Sequence, residues 1–159
     1  MELHQALTEK SIWLGAAGAS KWKVLETLVQ RLAAACGESV DAILGAVIER
    51  EQRSSTGVGG GIAIPHARTN CVSKVDVALA ISPAGIDFDS LDGKPCHLVF
   101  LVVAPTDAST RYLDALASIA SIGVNPAHVE GLLRCTSAAQ VLERLHAING
   151  KHRTAHGGR

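Results

Sequence analysis

Aromatic residues are scarce in this chain of 159 residues: two Trp, two Phe and one Tyr. It also lacks a net charge, because fifteen Lys and Arg are matched by fifteen Asp and Glu. Nucleic-acid binding draws on a basic field and on stacking side chains, so the two absences together argue against it. Long hydrophobic runs are missing as well. The most strongly apolar stretch, Leu98 to Ala104, is far short of the roughly 20 residues that a membrane-spanning helix takes, which argues against membrane insertion. Glu2, His4, Glu9 and Lys10 interrupt the N-terminal segment. No secretory signal is legible there, and a cytoplasmic location is expected. The four cysteines (Cys36, Cys71, Cys96, Cys135) are widely spaced with no CxxC pair, which argues for reduced thiols and against structural zinc. No HExxH pattern occurs, and no metal or other cofactor is expected.

What is present is ordinary globular composition, 47% hydrophobic and 19% charged, at a length that suits one domain. Residues 1–150 are expected to form it, with the polar run 151–159 as a frayed tail. Ser20 and Gly37 bracket a helix over Lys21 to Cys36, with Val24, Leu25, Leu28, Val29 and Leu32 on one face. Ser39 is placed to cap a second helix reaching Arg53. Val75 to Ser82 and His97 to Ala104 read as strands. The second is continuously apolar, as a strand covered on both faces would be. Turns are expected at Pro83-Ala84-Gly85 and Asp92-Gly93-Lys94-Pro95. Leu113, Leu116, Ile119 and Ala120 predict a helical stripe. Asn125-Pro126 starts a short helix, and Ser137 caps a last one. Helices before, between and after buried strands predict a three-layer α/β/α sandwich with a mixed sheet of four to five strands.

The chemistry is concentrated in Arg50 to Arg68, REQRSSTGVGGGIAIPHAR. Gly57, Gly59, Gly60 and Gly61 could form an anion nest of converging N–H groups, or simply a flexible turn. A P-loop is excluded because no GK[ST] follows, and Ile62 occupies the position where a dinucleotide fingerprint needs its last glycine. Ile62-Ala63-Ile64 reads as a short buried strand. His66, held behind Pro65 at its exit, has an imidazole lone pair available near neutral pH for nucleophilic work.

The run RE-x-x-x-STG-x-G-x-G-IAIPH resembles the signature of enzyme IIA in the fructose/mannitol branch of the bacterial phosphoenolpyruvate-dependent phosphotransferase system, and most of all its nitrogen-regulatory members. Ile86 to Pro95, and the strand to Ala104-Pro105 with the following helix, are similar too. The resemblance implies a single three-layer sandwich in which His66 accepts a phosphoryl group and Arg50 neutralises its charge. It also implies phosphate contacts from Ser55, Thr56, Gly57, Gly59 and Gly61. The donor would be a histidine phosphocarrier protein, with no nucleotide. The onward partner would be either regulatory target proteins or a IIB domain.

The pattern is broken in one place. Where many members carry a second histidine, after the Ala-Pro turn, this chain has Tyr112. A phenol can donate a hydrogen bond but carries no cation at pH 7. Three functions remain distinguishable: a nitrogen-regulatory phosphocarrier, a sugar-specific IIA, and a binding module whose histidine is idle. The free-standing length favours the first over the second. The signature residues Arg50, Thr56, Pro65 and His66 disfavour the third.

Overall fold

The computed structural model describes the backbone of residues 2–156 and the side chains of residues 2–149. Helix α1 runs Lys21–Cys36, with the Ser20 hydroxyl accepting from the Lys23 amide at 3.3 Å and Gly37 closing it at φ 77°. A left-handed closing residue costs glycine nothing in Cβ clashes. Helix α2 runs Val40–Arg53; Ser39 occupies the N-cap position but its side chain makes no capping bond. Both helices bury aliphatic stripes.

Six strand segments form one mixed sheet: β1 (Ile12–Leu14), β2 (Gly57–Gly59), β3 (Ile62–Ala63), β4 (His66–Arg68), β5 (Asp76–Ile86) and β6 (Cys96–Ala104). The order is β1-β5-β6-β3-β2, and β4 also pairs with β6. This is slightly more than the four to five strands expected. β6 is central, antiparallel to β5 and parallel to both β3 and β4. Ile62 opposes Leu98 and His66 opposes Val102, so β3 and β4 keep one register along β6. The gap between them is the proline. Pro65 has no N–H to donate, yet its carbonyl accepts from Val102 at 2.9 Å. His66 therefore begins the second half of a strand, rather than standing beyond the end of one.

One expected turn lies elsewhere. Pro83-Ala84-Gly85 falls inside β5, where the pairing register slips between Ile81 and Ile86. Gly85, at φ 89°, and its amide bond to the Ser82 hydroxyl accommodate this bulge. The reversal to β6 comes after Ile86.

Helices α3 (Ser109–Val124), α4 (Pro126–Leu133) and α5 (Ala138–His156) cover the opposite face from α1 and α2. Asn125 caps α4 through the Ala127 amide, with Pro126 at its first position. The buried face of α3 is Tyr112, Ala115, Ile119 and Ile122, whereas Leu113 is 58% exposed and Ala120 is also exposed. The expected stripe is thus rotated: small Ala115 lets α3 approach the sheet, and the leucine faces outward. Strand alternation divides the core. Leu98, Phe100 and Val102 pack towards α3, α4 and α5, while Val99, Leu101 and Val103 pack towards α1 and α2. The expected polar tail overlaps the backbone of α5 up to His156, and residues 157–159 lie outside the described residues. Among the described residues, no helix is long and apolar enough to cross a membrane.

Candidate active site

The alternation that puts Ile62 and Ile64 on the α3 side carries His66 to the same side, at the edge of the sheet. Its ring meets that of Tyr112 edge-on, with centroids 5.9 Å apart. The last turns of α2 close the other flank. Together they line an open cleft of about 400 Å³ bounded by Ala46, Glu49, Arg50, Arg53, His66, Ala67, Arg68 and Tyr112.

His66 Nδ1 lies 2.8 Å from the Ile64 carbonyl oxygen. A carbonyl can only accept, so in the neutral ring Nδ1 carries the proton and Nε2 carries the lone pair. The bond spans only two residues, across Pro65, so the strand itself sets the ring's orientation. Burial holds the His66 pKa below the ordinary imidazole value. Arg50 and, less strongly, Arg68 push it the same way, against the opposing Ile64 bond and Glu51. The ring is expected to titrate below about 6.5, with its Nε2 lone pair still free as pH falls to that value. The contribution of His66 to stability is then full above the unfolded midpoint and lost as pH falls through the folded one. Following the ring protons of His66 by NMR checks this; a midpoint at or above the ordinary value would contradict it.

Three cations share the cleft. Arg50 donates from Nη1 to the Ser54 carbonyl at 3.1 Å, closing the end of α2, and lines the cleft. Arg53 is tied to Glu49 at 3.0 Å. Arg68 stacks its guanidinium 4.8 Å over the Tyr112 ring and reaches the Ser109 hydroxyl at 3.5 Å. Tyr112 is 6% exposed, and burial raises its phenol pKa against the opposing pull of Arg68. Sequence reading identified Arg50 and Tyr112 but missed Arg53 and Arg68. Both were within reach of periodicity, since Arg53 follows Arg50 by three on a helix and Arg68 follows His66 by two on a strand.

The glycine-rich loop is not brought to the cleft. Gly59, Gly60 and Gly61, at φ 94°, 68° and 80°, form the tight turn between β2 and β3. Ile62 pairs four positions before His66 along β6, so this turn lies about 13 Å up the strand from the histidine. Three amides of this segment already have side-chain partners. Thr56 N–H bonds Glu51, Gly57 N–H bonds the Ser55 hydroxyl, and Gly60 N–H bonds Asp92. The Ser55 hydroxyl donates to the Phe88 carbonyl at 2.7 Å. Gly57 is required for another reason: a Cβ there would come within 2.8 Å of the Ser90 backbone.

These residues instead brace the site from behind. Glu51, only 3% exposed, accepts from the Thr56 amide and hydroxyl at 2.9 and 2.7 Å and pairs with buried Lys21 at 2.8 Å. The Thr56 carbonyl accepts from Ile64 N–H at 3.0 Å, and the Ile64 carbonyl holds His66. An unbroken series of hydrogen bonds thus joins α1, the end of α2 and the histidine.

Comparison with known proteins agrees with this architecture. Residues 5–148 match the family described as the phosphoenolpyruvate-dependent sugar phosphotransferase system, EIIA 2. The chain is 35% identical over 147 residues to a nitrogen regulatory protein of Pseudomonas aeruginosa, covering 91% of this chain and 94% of that one. It is 41% identical over 108 residues to a fructose-specific EIIA component of Haloferax volcanii, covering 68% of this chain and 70% of that one. It spans only 23% of the fructose-specific EIIABC component of Bacillus subtilis, to which it is 35% identical over 145 residues, 90% of this chain. The solved structure of the nitrogen regulatory protein IIA-Ntr from Neisseria meningitidis superimposes with a TM-score of 0.83 at 29% identity, covering 90% of this chain and 98% of that one. The chain belongs to the EIIA 2 family of the phosphoenolpyruvate-dependent sugar phosphotransferase system.

Proposed function

We propose that the chain is a phosphohistidine phosphocarrier of the nitrogen-regulatory type, with His66 as the acceptor. The observation that carries this is the Nδ1–H bond to Ile64, which leaves Nε2 as the nucleophilic nitrogen in a cleft lined by Arg50, Arg53 and Arg68. A histidine phosphocarrier protein is the donor. The Nε2 lone pair attacks phosphorus in line, the donor's P–N bond breaks, and the bonding pair returns to the donor imidazole. His66 keeps its Nδ1 proton, so Ile64 steadies the ring as it gains positive character. The guanidiniums of Arg50 and Arg68 stabilise charge on the three equatorial oxygens, where positioned cations contribute most. Ser55, Thr56 and Gly57 serve by bracing the strand that holds His66. Near-complete coverage of the Pseudomonas and Neisseria nitrogen regulatory proteins supports the regulatory reading. The alternative, a sugar-specific IIA feeding a IIB domain, is favoured by the identity to the Haloferax fructose-specific component.

Reconstitution with phosphoenolpyruvate, enzyme I and the sugar-branch and nitrogen-branch carrier proteins tests the proposal. Labelling on histidine from the nitrogen-branch carrier, without rapid passage to a fructose or mannitol IIB, supports the regulatory reading. Rapid passage to a IIB supports the alternative, and no label from either carrier refutes both.

Two outcomes refine the site. Arg50→Ala is expected to slow phosphorylation by about 10²–10³-fold, the usual cost of one transition-state donor. Arg50→Lys should recover only part of this, since lysine keeps the charge but lacks the planar fork. A wild-type rate in Arg50→Lys, read by single-turnover labelling, would reduce Arg50 to a point charge. Tyr112→Phe keeps the ring beneath Arg68 and removes one donor. The expected result is unchanged stability with phosphate gain or loss slowed by about tenfold. Equal rates in both directions would leave Tyr112 a packing residue.

A further inference from the structure

Away from the cleft, the 3₁₀ turn Leu3–Ala6 docks on α5 and brings together Glu2, His4 and His146, the only trio of metal-ligating types found clustered among the described residues. Their candidate ligand atoms all lie within 4.8 Å of one another. His4 Nε2 and His146 Nδ1 are 3.1 Å apart, with the rings edge to face at 4.4 Å. Glu2 Oε2 lies 3.8 Å from His146 Nδ1 and 3.5 Å from His4 Nδ1. A tetrahedral ion with ligands at about 2.0–2.2 Å requires neighbouring donors about 3.3 Å apart. The two imidazole nitrogens already have that spacing, and the carboxylate, 3.8 Å from His146 Nδ1 and within 4.8 Å of the His4 ligand atom, closes on the ion by a change of its own rotamer.

A second observation points the same way. His4 Nδ1 is buried and has no hydrogen-bond partner. Such a nitrogen is costly unless its ring has a fixed tautomer and a use. With Nε2 as ligand, Nδ1 keeps the ring's proton and the tautomer is fixed.

We infer that Glu2, His4 and His146 form a site for a borderline divalent transition ion, zinc above all, that clamps the N-terminal turn to α5. Two imidazoles and one carboxylate suit zinc, and solvent can fill the fourth position on the side where His146 is 66% exposed. Magnesium and calcium prefer all-oxygen sites and are excluded by the same donor set. The site shares no residue with the phosphoryl cleft and stands independently of it.

The test is calorimetric titration of the tag-free, chelator-treated full chain with zinc, beside thermal unfolding and cobalt(II) absorption. It is run in a His152→Ala/His156→Ala background, because those histidines stand four apart in the sequence and could chelate the same ions. The expected results are one equivalent bound, a thermal midpoint raised by several degrees with zinc but not magnesium, and tetrahedral cobalt bands. His4→Ala and His146→Ala should each weaken binding at least tenfold and abolish the midpoint shift. His146 is mostly exposed, so its variant keeps the fold even if the His4 variant does not. Failure to bind zinc, or a His146→Ala chain that binds like its parent, overturns the inference.

Discussion

Replacing His66 with alanine is expected to remove phosphoryl labelling completely while leaving the folded chain intact. The lone pair that attacks phosphorus belongs to this ring, and no other histidine among the described residues lines the cleft. The structural loss is small, because the ring is half-buried at the sheet edge and its one hydrogen bond is to Ile64. A bond of that kind contributes about 0.5–1.5 kcal/mol, and the backbone pairing of β4 with Val102 to Ala104 does not involve the side chain. Labelling of the wild type should be labile in acid and stable in base, as a P–N bond requires. Undiminished label on a folded His66→Ala chain would move the acceptor elsewhere.

The largest loss of stability is expected from Glu51→Ala. The change leaves the Lys21 ammonium, buried against Glu51 and 4.8 Å over the Phe88 ring, with only the exposed Asp89 carboxylate at 3.8 Å, and it unpairs the Thr56 amide and hydroxyl. Removing one partner of a buried pair typically costs about 3–5 kcal/mol, a large share of the 5–15 kcal/mol that holds such a domain together. Urea unfolding measures it directly. The damage should also reach function, because Thr56 holds Ile64 and Ile64 holds His66. Glu51→Gln keeps an acceptor for Thr56 and should fall between wild type and alanine. A loss below about 1 kcal/mol in Glu51→Ala would show the pair to be no stronger than an exposed one.

The reach of sequence reasoning followed the local signals. Helix α1 was bounded correctly because Ser20 and Gly37 act through their own backbone neighbours. β6 was visible because a strand covered on both faces has no polar interruption. β1 was missed: three residues at a sheet edge carry too little pattern to distinguish them from a loop. The glycines misled for a different reason. Positive φ is needed equally by a hairpin turn and by an anion nest, and only tertiary placement separates the two. Gly59 to Gly61 proved to be the turn. The Thr in the signature resisted interpretation likewise, since its partner Glu51 is buried by packing that composition does not reveal. The histidine pair at the N-terminal turn was beyond any local reading, because its members are separated by 142 residues.

The proposed phosphoryl transfer turns on one atom, Nε2 of His66. Phosphorylating the ¹⁵N-labelled chain through the carrier relay and recording the imidazole nitrogens by NMR tests it most directly. The predicted spectrum shows phosphorus coupled to Nε2 of His66, with Nδ1 still protonated and bonded to Ile64. Coupling to Nδ1, or to a nitrogen of any other histidine, would contradict it.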